Sequence, residues 1–324
     1  MSTVMTLALA LLAAPLAAEA QPAGRTARVG MLLTVAQPAP SDRGTMSFLL
    51  PQALKELGYV EGQNLLVERR FAGGQLQRLA DLARDLDRMR VDVIVAVGNE
   101  AVRAAQDATK TTPIVMLAGA AVAQDLVASL AQPGGNVTGV LISETTLAAK
   151  RLELIKEAAP PAKRIAVLLS GEEYNRAQLQ EAEGAAAALG VTLIAVDVAG
   201  ADYAGSFAKM VSERAQALFV LSSPLLNRDR TRIIDLATKH RIPAIYQWRE
   251  HAEAGGLMSY GTSLSWLSRR MASYVQRILQ GASPGRLPVE QPTAYELVIN
   301  LRTAKTLGLT IPPAVLARAD EVIR

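Results

Sequence analysis

The chain has 324 residues, of which 50% are hydrophobic and 20% charged, with no cysteine, two histidines and a net charge of +4. This length and composition exclude a disordered chain and suggest two globular domains, each large enough for its own core. The absence of cysteine excludes disulfides, thiolate nucleophiles and cysteine-bound zinc. Scattered basic residues and only 4% aromatic residues disfavour a nucleic-acid-binding surface. We therefore expect no metal, no cofactor and no nucleic-acid partner.

The first 20 residues have the features of a secretory signal peptide. Residues 5–18 are uncharged and almost entirely apolar, a run too short to cross a bilayer, and small residues occupy the cleavage positions Ala18 and Ala20. The positive residues that usually precede such a run are missing, and a buried N-terminal helix is the alternative. No cysteine follows for lipid attachment. We therefore expect an exported, periplasmic protein without a lipid anchor.

From Arg28 onward, short β-rich segments alternate with segments of helical periodicity. The first series of predicted strands is Arg28–Leu33, Leu65–Phe71, Val91–Val97, Pro113–Leu117 and Val137–Ile142. The second series is Arg164–Leu169, Val191–Val198, Ala217–Leu221, Ala244–Tyr246 and Gly256–Tyr260. Several are continuous runs of Val, Ile and Leu, which is typical of strands that helices cover on both faces.

The segments between the strands carry apolar residues at intervals of three and four, as at Leu79, Leu82 and Leu86, which predicts helices. Pro51, inside the helical segment Met46–Leu57, is expected to kink that helix or to mark its start. Regular alternation of strands and helices predicts parallel sheets with right-handed crossovers. Because the series splits near residue 143, we predict an α/β fold of two doubly wound parallel-sheet lobes, with a hinge and an interlobe cleft.

No catalytic motif supports an enzyme. The sequence lacks GxxxxGKS/T, GxSxG and HExxH, and no GxGxxG follows a strand. Amino-acid racemases also have two α/β lobes, but they use a pair of cysteines that this chain lacks. We therefore predict a binding protein without catalytic activity. An enzymatic alternative rests on Glu144, Glu173 or His251 as the acid or base.

Polar residues follow strands in both halves and are candidates for holding a polar organic ligand. Gly98–Glu100 follows a buried strand and opens a helix, where Asn99 suits the N-cap and free N–H groups are able to receive a carboxylate. A plain cap without a ligand is the alternative. Residues 170–175 occupy the corresponding place in the second half.

Three aromatic residues, Tyr246, Trp248 and Tyr260, cluster at two late strand ends in a chain with few aromatic residues. Aromatic rings grouped at a cleft are suited to sandwich a planar or apolar ligand. Ordinary packing in the core is the alternative.

Five segments make the chain resemble the tryptophan-binding type of ABC-transporter substrate-binding proteins, which have a type I periplasmic-binding fold. The segments are Glu56–Asn64, Val91–Ala96, Leu126–Gly139, Ala254–Gly261 and Leu287–Pro313. The resemblance runs from about residue 28 to the C-terminus, and the last two segments are the most specific.

The resemblance implies a bilobed receptor that captures a small solute, an amino acid or a related organic acid, aromatic ones included. It also implies delivery to an inner-membrane ABC permease and its ATPase, and three crossovers between the lobes, expected near residues 143, 260 and 288. The predicted N-terminal lobe is thus 28–143 plus 261–287, and the C-terminal lobe 144–260 plus 288–324. We expect a monomer. A periplasmic ligand sensor for a membrane signalling partner is the alternative function, because it uses the same closing cleft.

Carried over by position, the resemblance implies a ligand-binding site in the loops at the strand ends. The predicted ligand-binding residues are Gly98, Asn99, Glu100, Ala120, Ser143, Glu144, Tyr174, Asn175, Ser222, Tyr246, Trp248 and Tyr260. Where the family commonly has an Asp-Pro pair, this chain has Ala120-Ala121, and so lacks a carboxylate that would recognise an amine. The sequence therefore leaves the identity of the solute open.

Overall fold

A computed structural model of the chain describes residues 26–40, 42–119, 125–142, 144–171, 173–293 and 295–324. These residues form two open β-sheets, each with apolar clusters and helices on both faces. We call the first sheet with its helices the first lobe, and the second sheet with its helices the second lobe. No helix in this part of the chain combines the length and the apolar character needed to span a membrane.

The first sheet is parallel throughout. Its strands are β1 (Ala27–Leu33), β2 (Leu65–Phe71), β3 (Val93–Val97), β4 (Ile114–Gly119) and β5 (Val137–Ile142). They lie in the order β2-β1-β3-β4-β5, so the winding reverses between β1 and β3. In sheets of this kind, ligands bind beyond the carboxyl ends of the strands at the point of reversal.

The second sheet continues the pattern with a mixed edge. Its strands are β6 (Arg164–Leu169), β7 (Thr192–Asp197), β8 (Ala217–Val220), β9 (Ala244–Tyr246), β10 (Met258–Gly261), β11 (Glu296–Asn300) and β12 (Glu321–Ile323). Their order is β12-β11-β10-β9-β8-β6-β7, and the winding reverses between β6 and β8. Only the pair β10–β11 is antiparallel among these described strands.

Helices cover both sheets. In chain order they are α1 (Met46–Glu56), α2 (Leu79–Arg88), α3 (Asn99–Ala108), α4 (Glu144–Ala158), α5 (Glu173–Ala186), α6 (Tyr203–Ser212), α7 (Pro224–Arg228), α8 (Arg230–Lys239), α9 (Arg249–Glu253), α10 (Leu264–Leu279), α11 (Leu301–Leu307) and α12 (Pro313–Leu316). Although α10 comes late in the chain, it packs against α1 and the core of the first lobe.

The strands are buried on both faces because successive side chains alternate between two apolar clusters. On β3, Val93 and Val95 pack with α1 and α10, while Ile94 and Ala96 pack with α2 and α3 on the other face. All four side chains are fully buried. This explains why the sequence shows continuous apolar runs here instead of an alternating pattern.

The α/β fold class with two doubly wound lobes is confirmed, and the ten predicted strands are present with ends that shift by at most two residues. Two strands were missed, so the prediction of five parallel strands in the second half is wrong. In β11 the apolar run is only three residues long, and Asn300 caps the helix that follows directly, its Oδ1 accepting from Arg302 N at 3.0 Å. Such a short run is hard to separate from the helix.

Pro51 lies inside α1, which begins at Met46, so Pro51 does not mark the start of the helix. A proline at this position leaves the carbonyl of Ser47 without its helical donor. Arg69 Nε donates to that carbonyl at 3.4 Å, and Pro51 itself is buried against the core. These contacts explain how the helix continues through the proline.

The segment after α10 pairs with β5 of the first sheet. Glu290 N donates to Gly139 O at 3.0 Å, and Leu141 N donates to Glu290 O at 2.8 Å. The chain is therefore hydrogen-bonded to the first sheet as far as Glu290, and the lobe boundary expected near residue 288 stays a prediction.

Candidate ligand-binding cavity

A cavity lies between the lobes, at the carboxyl ends of strands from both sheets. The empty volume of this cavity, counted together with the part that opens to solvent, is about 830 Å³. Its apolar lining from the first lobe is Leu33, Val35, Val97, Leu117, Ile142 and Leu264. Its lining from the second lobe is Ser222, Ser223, Pro224, Asn227, Arg228 and Trp248. The cavity thus forms where the winding of each sheet reverses.

Helix α3 starts at the cavity. Gly98 is its N-cap, with a φ of 99° that favours glycine, and Asn99 is the first helical residue. The prediction that Asn99 is the cap is therefore wrong: its Oδ1 instead accepts from Gly119 N at 2.9 Å, which ties α3 to the end of β4. The first backbone N–H groups of α3 have no acceptor within the helix, and a helix N-terminus favours an anion.

The second-lobe wall is held in place from behind by α5. Asn175 Nδ2 and Gln178 Nε2 donate to Ser222 O at 2.8 and 3.0 Å, and both side chains are fully buried. Ser223 then caps α7, its Oγ accepting from Leu226 N at 3.1 Å. Asn175 therefore positions the wall, while Ser222 and Ser223 belong to the lining.

Trp248 joins the two lobes at the cavity. It follows β9 in the second sheet, yet its indole packs in an apolar cluster of the first lobe and is only 5% exposed. His251 lies beside it, with the ring centroids 6.0 Å apart and His251 Nδ1 3.3 Å from Trp248 O. Tyr246 stacks on the same imidazole at 5.0 Å. Of the three, Trp248 belongs to the cavity lining.

The imidazole of His251 is a neutral support for this aromatic group. Burial, together with the nearby Arg230 charge, lowers the pKa of His251 to about 3. The side chain is fully buried and does not belong to the cavity lining. Packing thus accounts for His251 and also for Tyr246, for which core packing was the alternative.

Two buried polar atoms of the lining have no hydrogen-bond partner among the described residues. They are Asn227 Oδ1, an acceptor, and Trp248 Nε1, a donor. Thr34 Oγ1, whose side chain lies beside Gly98, is also buried without a hydrogen-bond partner among the described residues. Buried polar atoms are normally paired, so unpaired atoms in a cavity lining are unusual.

The charged residues of the lining come one from each lobe. Glu100 lies in the first turn of α3. Arg228 is held by Asp229, with Nε–Oδ1 and Nη2–Oδ2 distances of 2.5 Å each. Tyr203 donates its hydroxyl to the same carboxylate at 2.8 Å. The cavity is therefore apolar in its walls, with one carboxylate and one guanidinium at its margins.

The structure brings five of the predicted ligand-binding residues together around the cavity: Gly98, Asn99, Glu100, Ser222 and Trp248. Three others lie away from its lining, namely Asn175, Tyr246 and Tyr260. The half-buried ring of Tyr260 instead lies 6.2 Å from that of Tyr295.

Four predicted residues are not placed at the level of their side chains. Ala120 and Ser143 lie outside the described residues. Glu144 and Tyr174 lie in the first turns of α4 and α5, where the structure describes the backbone but not their side chains. Their part in binding stays a prediction.

Sequence reasoning missed several lining residues. Thr45, Met46 and Ser47 surround the start of α1, and Asn227 lies in the short helix α7. A helix of five residues leaves no periodic signal. The available signal for Asn227 was its position shortly after the predicted strand Ala217–Leu221.

Two doubly wound lobes that enclose a cavity at the carboxyl ends of their strands define the type I periplasmic-binding fold. The sequence model of the family described as "ABC transporter substrate binding protein" matches residues 45–323, so the chain belongs to this family of solute-binding proteins.

Relatives of this chain include proteins whose names state an aromatic amino acid. It is 26% identical over 270 residues to a "Tyrosine-binding protein" of Clostridioides difficile, covering 83% of this chain and 77% of that protein. It is 26% identical to a Streptococcus ABC domain solved in complex with L-Trp, with a TM-score of 0.78, covering 92% of this chain and 100% of that one. A solved "conserved domain protein" of Vibrio cholerae is 32% identical, with the same coverage and a TM-score of 0.78.

Proposed function

We propose that this protein captures an aromatic amino acid in the interlobe cavity and presents it to an inner-membrane ABC permease and its ATPase. The observation that carries the proposal is an apolar cavity with the Trp248 indole in its wall. Two buried atoms of its lining, Trp248 Nε1 and Asn227 Oδ1, have no hydrogen-bond partner among the described residues. An apolar site with a few placed polar groups is typical of small-molecule recognition.

The walls suit an aromatic side chain. Residues from β1, β3, β4 and β5 supply aliphatic surface, and the Trp248 indole, which packs in the same apolar cluster, supplies an aromatic ring. An aromatic pair contributes about 0.5–1.5 kcal/mol beyond the burial of area.

The polar groups suit the two charged ends of an amino acid. The N-terminus of α3 offers backbone N–H groups and a favourable dipole to a carboxylate. Glu100 and Asn227 Oδ1 offer acceptors to an ammonium group. These acceptors would take the part of the carboxylate that the sequence lacks at Ala120-Ala121.

The relatives support the same class of ligand. The Streptococcus domain was solved with L-Trp and the Clostridioides relative is named for tyrosine, each at 26% identity to this chain. Identity at this level leaves the choice between indole and phenol to the lining of this cavity.

A closing cleft explains capture and release. Because the lining comes from both lobes, a ligand that contacts both walls stabilises the closed arrangement by its differential affinity for it. Cleavage of residues 1–20 would deliver a monomeric receptor to the periplasm, where the permease binds the closed form. That leader lies outside the described residues.

Titration calorimetry on the purified protein tests the proposal. L-tryptophan or L-tyrosine is expected to bind with one site per chain and to stabilise the fold by about 2.7 kcal/mol at a hundredfold excess over the Kd. Tryptamine, which lacks the carboxylate, and indole-3-propionate, which lacks the amine, are each expected to bind at least tenfold more weakly. Binding of both analogues as tightly as the amino acid, or no response to any aromatic amino acid, would contradict it.

A further inference from the structure

An ion pair connects the two lobes at the edge of the cavity. Asp42 lies in the β1–α1 connection of the first lobe, and Arg230 is the first residue of α8 in the second lobe. Arg230 Nη2 lies 2.5 Å from Asp42 Oδ1, and Nη1 lies 3.5 Å from Oδ2. The two side chains are only 10% and 17% exposed, so water screens the pair less than it screens a surface pair.

The surface opposite Arg230 is shaped to receive it. A Cβ on Gly44 would lie 2.6 Å from Arg230 Nη2, so the guanidinium occupies the space that a side chain at position 44 would take. Gly44 N donates to Asp42 Oδ1 at 3.3 Å, which orients the carboxylate toward the other lobe. Glycine is needed here for close approach and not for a left-handed conformation, because its φ is not positive.

The ion pair is adjacent to the cavity lining on both sides. Arg230 Nη1 donates to Asn227 O at 3.1 Å, and the side chain of Asn227 lines the cavity. Thr45 and Met46, which follow Gly44 in the chain, line it from the first lobe. Any rotation that opens the cavity between these walls also separates Asp42 from Arg230.

We propose that the Asp42–Arg230 ion pair is a latch that forms only when the lobes close and that sets the affinity for the ligand without touching it. This inference deepens the proposed function, since it assumes that the lobes close around a captured solute. The latch stabilises the closed arrangement, and a ligand that selects this arrangement then binds more tightly. Asp42 and Arg230 are thus positioning residues.

Distances between spin labels test the latch directly. The chain has no cysteine, so Arg84→Cys on α2 and Ala208→Cys on α6, both exposed and on different lobes, provide specific labelling sites. The distance distribution is measured without ligand, with L-tryptophan and with L-tyrosine, in the otherwise unchanged protein and in D42N and R230Q. Each variant is expected to lower the ratio of closed to open molecules at least fivefold. The Kd should rise by the same factor.

Four further variants separate the latch from general destabilisation. The double variant D42N/R230Q should be no worse than either single variant, because both remove one interaction. E61Q weakens the Glu61–Arg69 pair, which is 2.6 Å long, lies within the first lobe away from both labels and is more exposed than the latch, and should leave the distance distribution unchanged. G44A should act like D42N by displacing the guanidinium, whereas G135A, which meets open space, should not.

The outcomes also separate the latch from the proposed function. If neither amino acid binds, the proposed function fails. The distance distributions of the ligand-free protein then test the latch alone. A closed population that is present in the wild type and lost in D42N and R230Q would then support it. A wild type without any closed population, or variants that keep the wild-type distances and affinity, would overturn it.

Discussion

Glu250 offers a sharp test of the electrostatics of the interlobe groove. This residue lies in the first turn of α9, in a groove that Arg230, Arg249 and Trp266 also line. Its Oε2 is buried without a hydrogen-bond partner among the described residues. Burial, with repulsion from Glu253 and Glu296, raises the pKa of Glu250 from 4.5 to about 7, against the opposing effects of a backbone hydrogen bond and of the Arg230 charge. The folded protein therefore holds a proton there that the unfolded chain releases.

The sign and size of the effect on stability follow from that difference in pKa. Between about pH 4.5 and 7 the folded state binds the extra proton, so the contribution of Glu250 to stability falls as the pH rises through this window. The full loss, reached above pH 7, is roughly 3 kcal/mol. E250Q cannot ionise, and we expect it to be more stable than the wild type by up to this amount at pH 8 and equally stable near pH 4.5.

Urea unfolding at a series of pH values measures the difference between E250Q and the wild type. The difference is needed because His251 has the opposite dependence: its folded pKa is lowered to about 3, so it destabilises the protein as the pH falls below 6.5. E181Q, which makes the same substitution at an exposed position on α5, is the matched control. A difference between E250Q and the wild type that does not change with pH would refute the reasoning.

Two further substitutions test the cavity and the sheet beside it. W248F removes the indole N–H and roughly 50 Å² of apolar area, so L-tryptophan should bind about 2 kcal/mol more weakly, about thirtyfold in calorimetry. G139A should destabilise the protein by more than about 3 kcal/mol in urea unfolding. Its Cβ would lie 2.3 Å from Met116 O, at a φ of 140° that favours glycine.

Each of these substitutions has a matched control in the same chain. W266F changes the other tryptophan, which is outside the cavity lining, and should leave the affinity within twofold of the wild type. G135A places a Cβ in open space and should change the stability by less than about 0.5 kcal/mol. Equal losses of affinity in W248F and W266F, or a G139A protein as stable as G135A, would contradict the packing described.

The layout of the lobes could be predicted because local sequence patterns, namely apolar segments bounded by turn residues, determine where the strands form. Val91–Val97 and Val137–Ile142 are apolar runs bounded by turn residues, and each run becomes a strand with side chains in two clusters. The rule that ligands bind beyond the carboxyl ends of parallel strands then pointed to Gly98–Glu100 and Ser222. These residues do line the cavity.

The rest of the cavity depends on contacts that no local pattern records. Asn175 follows a strand as a ligand-binding residue would, but its amide pairs with backbone groups of Ser170 and Ser222. Asn227 and Met46 line one cavity only because the two lobes approach each other, and the sequence separates them by 181 residues. Tyr246 and Trp248 are two positions apart, yet only Trp248 reaches the cavity, since Tyr246 stacks on His251 within the second lobe.

Native mass spectrometry of the protein, purified without denaturation from the periplasm of a bacterial host, tests the central claim most directly. We expect one aromatic amino acid per chain, released chemically unchanged on unfolding and depleted when Trp248 is replaced by phenylalanine. Recovery of a sugar, a nucleotide or a chemically altered product from that cavity would contradict the account.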